Sequence, residues 1–173
     1  MKIFIFIDVQ NDFIEGSLKN DYAIATMPNL VKLMQKIKEK NYYSMFTKDT
    51  HYYDYLNTLE GKYLPIKHCR KDTWGWEIHK DLKEDAKLVI PKITFGYPYW
   101  KNYITENDEV YLCGFCTDIC VISNALAIRM LFPDNEIYVI EDCCAGVTPE
   151  KHDAAIEVMK SCQINVINLE EIE

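Results

Sequence analysis

Near its start the chain carries an unbroken apolar run, Ile3-Phe4-Ile5-Phe6-Ile7, that ends abruptly on Asp8. A run this short, built from aromatic and β-branched residues, reads as a strand buried on both faces, Lys2 to Asp8. Leu30, Leu33, Met34 and Ile37 then recur at helical spacing and predict an amphipathic helix from about Met27 to Lys40. Strand Tyr42 to Thr47 comes next. Beyond an irregular stretch, Lys48 to Ile78, the pattern predicts strand Lys87 to Pro91, a short helix near Tyr99, strand Glu109 to Leu112, helix Thr117 to Leu131 and strand Glu136 to Ile140. Thr148-Pro149 then starts a helix, because threonine caps well and proline suits the first helical position. That helix runs to about Ser161, and a last strand covers Asn165 to Asn168.

Strands alternating with helices imply parallel pairing, right-handed crossovers and a sheet covered on both sides. The expected fold is therefore α/β: a three-layer Rossmann-like arrangement with a six-stranded, mostly parallel sheet. With no internal repeat, low-complexity tract or linker, residues 1–173 read as one domain. In such sheets ligands bind outside the carboxyl ends of the strands, which is where any site is expected. About thirty residues without periodicity inside a compact domain are usually functional or disordered. The aromatics, histidines and paired tryptophans of 48–78 argue against disorder, so this segment is expected to fold over the site as a lid.

Composition narrows the function. The chain has 173 residues, 49% of them hydrophobic, and no apolar run approaches what crossing a bilayer requires. The apolar N-terminal stretch is too short for a signal peptide and runs straight into Asp8. Nineteen basic against 27 acidic residues give a net charge of −8, which repels nucleic-acid phosphates and anionic membranes. Neither is an expected partner. Seven cysteines form an odd set in a chain large enough to need no staples, which points to reduced thiols in a cytoplasm. Cys143 and Cys144 read as packing residues. Cys113, Cys116 and Cys120 mimic a metal-ligand run, but Cys113 falls on a strand and no second pair stands at ligand spacing.

Three strand ends carry candidate chemistry. Asp8 ends strand one, where partial burial raises a carboxyl pKa and suits proton transfer; as a bland alternative it caps a loop. Lys92 follows Leu88-Val89-Ile90-Pro91, a place where a lysine is ordinarily just solvated. In Leu112-Cys113-Gly114-Phe115-Cys116-Thr117-Asp118-Ile119-Cys120-Val121 a strand breaks at Gly114 into a helix whose first turn holds Cys120, and there the helix dipole favours a thiolate. Read by itself, Cys120 is more often a core residue than a catalytic one. Together the three deliver an acid or base, a cation and a thiol to one edge of one sheet.

These motifs resemble those of the isochorismatase-like cysteine hydrolases, in particular their nicotinamidase branch. The resemblance rests on Ile7-Asp8-Val9-Gln10-Asn11-Asp12-Phe13, on Pro91-Lys92-Ile93-Thr94-Phe95-Gly96 and on Gly114 to Val121, in that order along the chain. It implies an Asp8, Lys92 and Cys120 triad that hydrolyses a small-molecule amide through a thioester. It also implies a cis peptide between Phe115 and Cys116, an oxyanion hole made by the backbone N–H groups of Cys116 and Cys120, and Phe13 and Phe115 beside the substrate.

Asp49 and His51 lie two residues apart just past a strand, so in extended chain they share a face, and His68 follows in the same irregular segment. One carboxylate and two imidazoles suit a divalent metal such as Zn, Fe or Mn. The resemblance strengthens this, since nicotinamidases have the same Asp-any-His after strand two and a His-Cys pair downstream, as in His68-Cys69. It places the metal on the pyridine nitrogen of nicotinamide, with Zn as the leading ion. The chain departs from the branch where Pro65 and Ile66 stand in place of a Trp-Pro that closes over the pyridine ring, leaving Trp74 or Trp76 to replace it. His79 and His152 read as surface or capping residues. The leading expectation is nicotinamide hydrolysis to nicotinate and ammonia. The alternatives are hydrolysis of another small amide or carbamoyl compound, and a noncatalytic thiol or metal sensor. Related enzymes are often dimers or tetramers, and the helix Asp118 to Leu131 is apolar on more than one face.

Overall fold

The computed structural model describes residues 1–172. Six parallel strands form one sheet: β1 (Lys2–Ile7), β2 (Tyr43–Asp49), β3 (Val89–Lys92), β4 (Glu109–Phe115), β5 (Ile137–Ala145) and β6 (Asn165–Ile167), in the order β3-β2-β1-β4-β5-β6. This is the expected α/β arrangement, and it puts β1 in the middle. Every residue from Ile3 to Ile7 is completely buried, as a strand covered on both faces must be.

Helix α1 (Asp21–Lys40) turns Leu30, Leu33, Met34 and Ile37 to the core, α2 is Ile122–Leu131 and α3 is Pro149–Ser161. The hydrophobic spacing places the start of α1 near Met27, but the helix begins six residues earlier, at Asp21, after the cap Asn20, whose side chain accepts from Tyr22 N and Ala23 N. Pro28 sits inside this helix and mimics a first-turn proline. The cap of α3 is as expected, with the Thr148 side chain accepting from Lys151 N at 3.3 Å. The strand at 137–145 outruns its apolar half because Glu141 and Asp142 break the hydrophobic run without breaking the ladder.

Helix Thr117 to Leu131 is two structures: a π-helical turn, Thr117–Val121, and then α2. Cys120 belongs to the π turn. The irregular stretch after β2 holds two 3-10 turns, Tyr55–Asn57 and Trp74–Trp76, and a short helix, Leu59–Tyr63. The predicted helix near Tyr99 is a single 3-10 turn, Trp100–Asn102.

Gly114 is where β4 must be glycine. Its φ is +114°, and a Cβ there would lie 2.1 Å from the carbonyl oxygen of its β1 register partner, Ile7. Gly114→Ala is expected to lower stability by about 2–4 kcal/mol, read as a shifted denaturant midpoint at unchanged m-value. An unshifted midpoint would show that the two backbones are not this close.

Candidate active site and metal centre

Four adjacent strands, β3, β2, β1 and β4, bring their carboxyl ends together, and each delivers a chemical group. Asp8 follows β1 with φ +49°, a left-handed turn that swings its carboxylate over the strand ends. Lys92 is the last residue of β3 rather than the first beyond it, in register with Asp49 on β2. Cys120 follows β4 across the Phe115–Cys116 peptide, which is cis.

The geometry is tight. Lys92 Nζ lies 2.6 Å from Asp8 Oδ2 and 3.5 Å from Cys120 Sγ, and both lysine and aspartate side chains are fully buried. Thr47 donates from Oγ1 to Asp8 Oδ1 at 2.6 Å and accepts from Asp8 N at 3.1 Å, which fixes the carboxylate. Burial raises Asp8 above the ordinary carboxyl range, opposed by the nearby Lys92 charge. For Lys92 burial works against the ammonium, but Asp8, Cys120 and Asp49 hold it well above the ordinary amine value. Burial pushes the Cys120 thiol far up, Lys92 pulls it down, and Asp8 adds to the rise. Burial therefore works against the thiolate at Cys120 while the Lys92 ammonium favours it, and the turn that carries the sulfur is π rather than α. Cys120 is 4% exposed, so little of it meets solvent. The two cavities found elsewhere, about 690 Å³ beside α1 and about 290 Å³ near Lys48 and Trp76, are not lined by any of the three groups. The convergence of buried ionisable groups, rather than concavity, marks the site.

A second cluster adjoins it. Asp49 and His51, which share a face by their spacing, meet His68, which the resemblance supports, and Glu60 from the short helix Leu59–Tyr63 joins them; one ligand atom from each lies within 4.8 Å of the others. Asp49 Oδ2 is 2.9 Å from His51 Nε2 and 3.5 Å from His68 Nε2, while Glu60 Oε1 is 3.4 Å and 3.6 Å from the same nitrogens. His68 Nδ1 lies 2.8 Å from the Ile66 carbonyl, leaving Nε2 to face the cluster. Burial disfavours charge on both histidines, but bonds to Asp49 and Glu60 overcome it and push His51 up to about 9 and His68 to about 10. Burial raises Glu60, but the two histidines outweigh it and hold the carboxyl down at about 2. Two carboxylates and two imidazoles, largely buried and converging on one point, are a donor set that fits a divalent metal ion. Asp49 faces both centres, its Oδ1 lying 4.0 Å from Lys92 Nζ.

Glu60 escaped the sequence reading because it shares no strand or helical period with Asp49 and is one acidic residue among 27. Thr47 was missed as well, though a hydroxyl at the end of a buried strand was the available signal. Phe13 lies beside the cluster, its ring 5.8 Å from that of His68, and Phe115 is fully buried at the end of β4. Trp74 is not brought in: it is 59% exposed, and its carbonyl merely accepts from Asn11. Trp76 lies under Lys48, whose ammonium stands 3.1 Å from the ring centre, and donates to Thr50. His79 caps the short helix Lys80–Lys83, as one of the two expected readings has it, but is buried rather than on the surface. His152 is neither surface nor cap: its Nδ1 lies 2.8 Å from Thr117 Oγ1, because α3 packs against the π turn. Cys143 and Cys144 are buried on β5.

A thiol, an ammonium and a carboxylate meeting at the carboxyl edge of a parallel sheet are the makings of a hydrolase that works through a nucleophilic cysteine. The chain belongs to the isochorismatase family, whose domain model matches residues 2–171. Among its relatives is the nicotinamidase of Schizosaccharomyces pombe, 25% identical over 205 residues that cover 95% of this chain and 91% of the relative. Among solved structures, the nicotinamidase of Bacillus subtilis superposes with a TM-score of 0.81 at 26% identity, covering 96% of this chain and 99% of that one. The pyrazinamidase of Pyrococcus horikoshii in complex with zinc gives 0.78 at 28% identity, covering 96% and 98%.

Proposed function

We propose that this protein is a metal-dependent amidohydrolase that converts nicotinamide to nicotinate and ammonia. The observation that carries the reading is Lys92 Nζ set 2.6 Å from Asp8 and 3.5 Å from Cys120 Sγ, beside a four-residue donor set. The names of the relatives support the substrate class.

Asp8 takes the proton of Cys120 as the sulfur attacks the amide carbonyl, and Lys92 offsets the charge that the thiolate brings into a buried site. The carbonyl oxygen becomes an anion held by the backbone N–H groups of Cys116 and Cys120. As the C–N bond breaks, protonated Asp8 gives its proton to the departing nitrogen, and ammonia leaves. Asp8 then takes a proton from water, whose oxygen attacks the thioester; the acid is released and Cys120 regains its thiol. A raised carboxyl pKa suits both directions of transfer. Asp49, His51, Glu60 and His68 would hold the metal, zinc being the best match to two imidazoles and two carboxylates, and when bound it supplies a Lewis-acidic anchor for the ring nitrogen. Phe13 flanks that position.

A second reading, hydrolysis of another small amide or a carbamoyl compound, is favoured by one observation: Pro65 and Ile66 stand where the branch carries Trp-Pro, and Trp74 points to solvent. Ammonia release from zinc-loaded protein over nicotinamide, pyrazinamide and N-carbamoyl compounds separates the two. Nicotinamide is expected to react fastest, and chelation to lower its turnover by roughly 100-fold, restored by zinc. Turnover of carbamoyl compounds alone would move the assignment to the second reading. The half-buried Ile119, Ile122 and Leu126 on and before α2 offer apolar surface for self-association as a dimer or tetramer.

A further inference from the structure

The segment that follows β1 does more than present Asp8. Gln10, completely buried, pairs with the main chain of Asp49 as a neighbouring strand would: its Oε1 accepts from Asp49 N at 2.8 Å and its Nε2 donates to Asp49 O at 2.9 Å. The second N–H of the same amide goes to the Trp76 carbonyl at 2.9 Å, so both N–H groups and the oxygen of the side chain are engaged. Two residues on, the buried carboxylate of Asp12 accepts from Cys69 N at 2.7 Å and from Ser17 N at 3.0 Å. Its space is kept clear by two glycines: a Cβ on Gly75 would lie 2.1 Å from Asp12 Oδ2, and one on Gly16 would lie 2.2 Å from Oδ1. Cys69 itself is held left-handed at φ +43°, and its carbonyl accepts from His51 N at 3.0 Å. The backbone of the residue after His68 is thus pinned from one side by Asp12 and from the other by His51.

We infer that Gln10 and Asp12 are positioning residues of the metal centre, Gln10 fixing the main chain of Asp49 and Asp12 fixing the turn that presents His68. This rests on the metal reading above and extends it to residues that touch neither metal nor substrate. Outer partners of ligands commonly account for 10–100-fold in metal affinity. Asp12→Asn keeps the shape but turns an amide N–H toward one of two backbone donors. Gln10→Glu keeps the acceptor for Asp49 N and sets a carboxylate oxygen against the carbonyls of Asp49 and Trp76.

The test is chelator competition on zinc-loaded protein, with Leu33→Ala as a control that destabilises the core of α1 without touching this network. Each variant is expected to bind zinc about 10–100-fold more weakly than the parent, to regain turnover when zinc is added in excess, and to show an unchanged rate of Cys120 alkylation by iodoacetamide. Leu33→Ala is expected to keep the parent's zinc affinity. Zinc affinity within twofold of the parent, or lost turnover that excess zinc does not restore, overturns the inference, and either variant decides it should the other fail to fold. A parent protein that holds no zinc removes the metal reading itself, and this inference with it.

Discussion

Cys120→Ala is expected to lower turnover by at least about 10⁴-fold while leaving a folded protein. The sulfur is the atom proposed to bond the substrate carbonyl, and removing a nucleophile leaves only what binding and an oxyanion hole contribute. The structural cost is small, since one buried sulfur atom is lost and stability is expected to fall by about 1 kcal/mol. Cys162→Ala is the control: that thiol sits at the end of α3 and should be neutral for activity. Ammonia release and a thermal melt on both variants check the result. Turnover in the alanine variant within tenfold of the parent would remove Cys120 from the mechanism.

The second large effect is on stability and activity together. Asp8→Asn is expected to abolish turnover and to cost about 3–5 kcal/mol, because it leaves the buried Lys92 ammonium beside a neutral amide. Adding Lys92→Met to Asp8→Asn removes the uncompensated charge. The double variant should regain most of the lost stability and none of the activity, since a well-packed apolar substitute can replace a buried pair structurally but moves no proton. Denaturant midpoints for the two single variants and the double complete the cycle. A double variant whose loss equals the sum of the singles would mean that Asp8 and Lys92 do not interact at 2.6 Å.

What could be read beforehand followed from which physical signals are local. The buried run Ile3–Ile7 ending on Asp8, the apolar approach to Lys92 and the Gly114 break before Cys120 are local, so the strands and the residues at their tips were legible. Asp49 and His51 were legible for the same reason, sharing a face in extended chain. Glu60 was not, because its approach to His51 and His68 is made by a loop path that no periodicity encodes. The first turns of α1 were not legible either, because the helix start was placed by the apolar spacing from about Met27, while the Asn20 cap lies where that pattern is weak. The continuation of β5 through Glu141 and Asp142 was hidden because its register is set by β4 rather than by its own polarity. How strongly burial opposes a Cys120 anion depends on the assembled core, which the motif does not contain.

The strand order has a consequence for how this protein acquires competence. Thr47 and Asp8 meet at a sequence separation of 39, Lys92 and Cys120 at 28, and the central strand β1 is flanked by strands that follow it in the chain. Such non-local closures are entropically expensive and come late in folding. Until β2 and β3 have joined β1 the first strand ends in an acid with no cation near it, and until β4 has docked on its other side it has no sulfur. A nascent or truncated chain therefore lacks the assembled triad, and the proposed hydrolysis begins only once these four strands are in place.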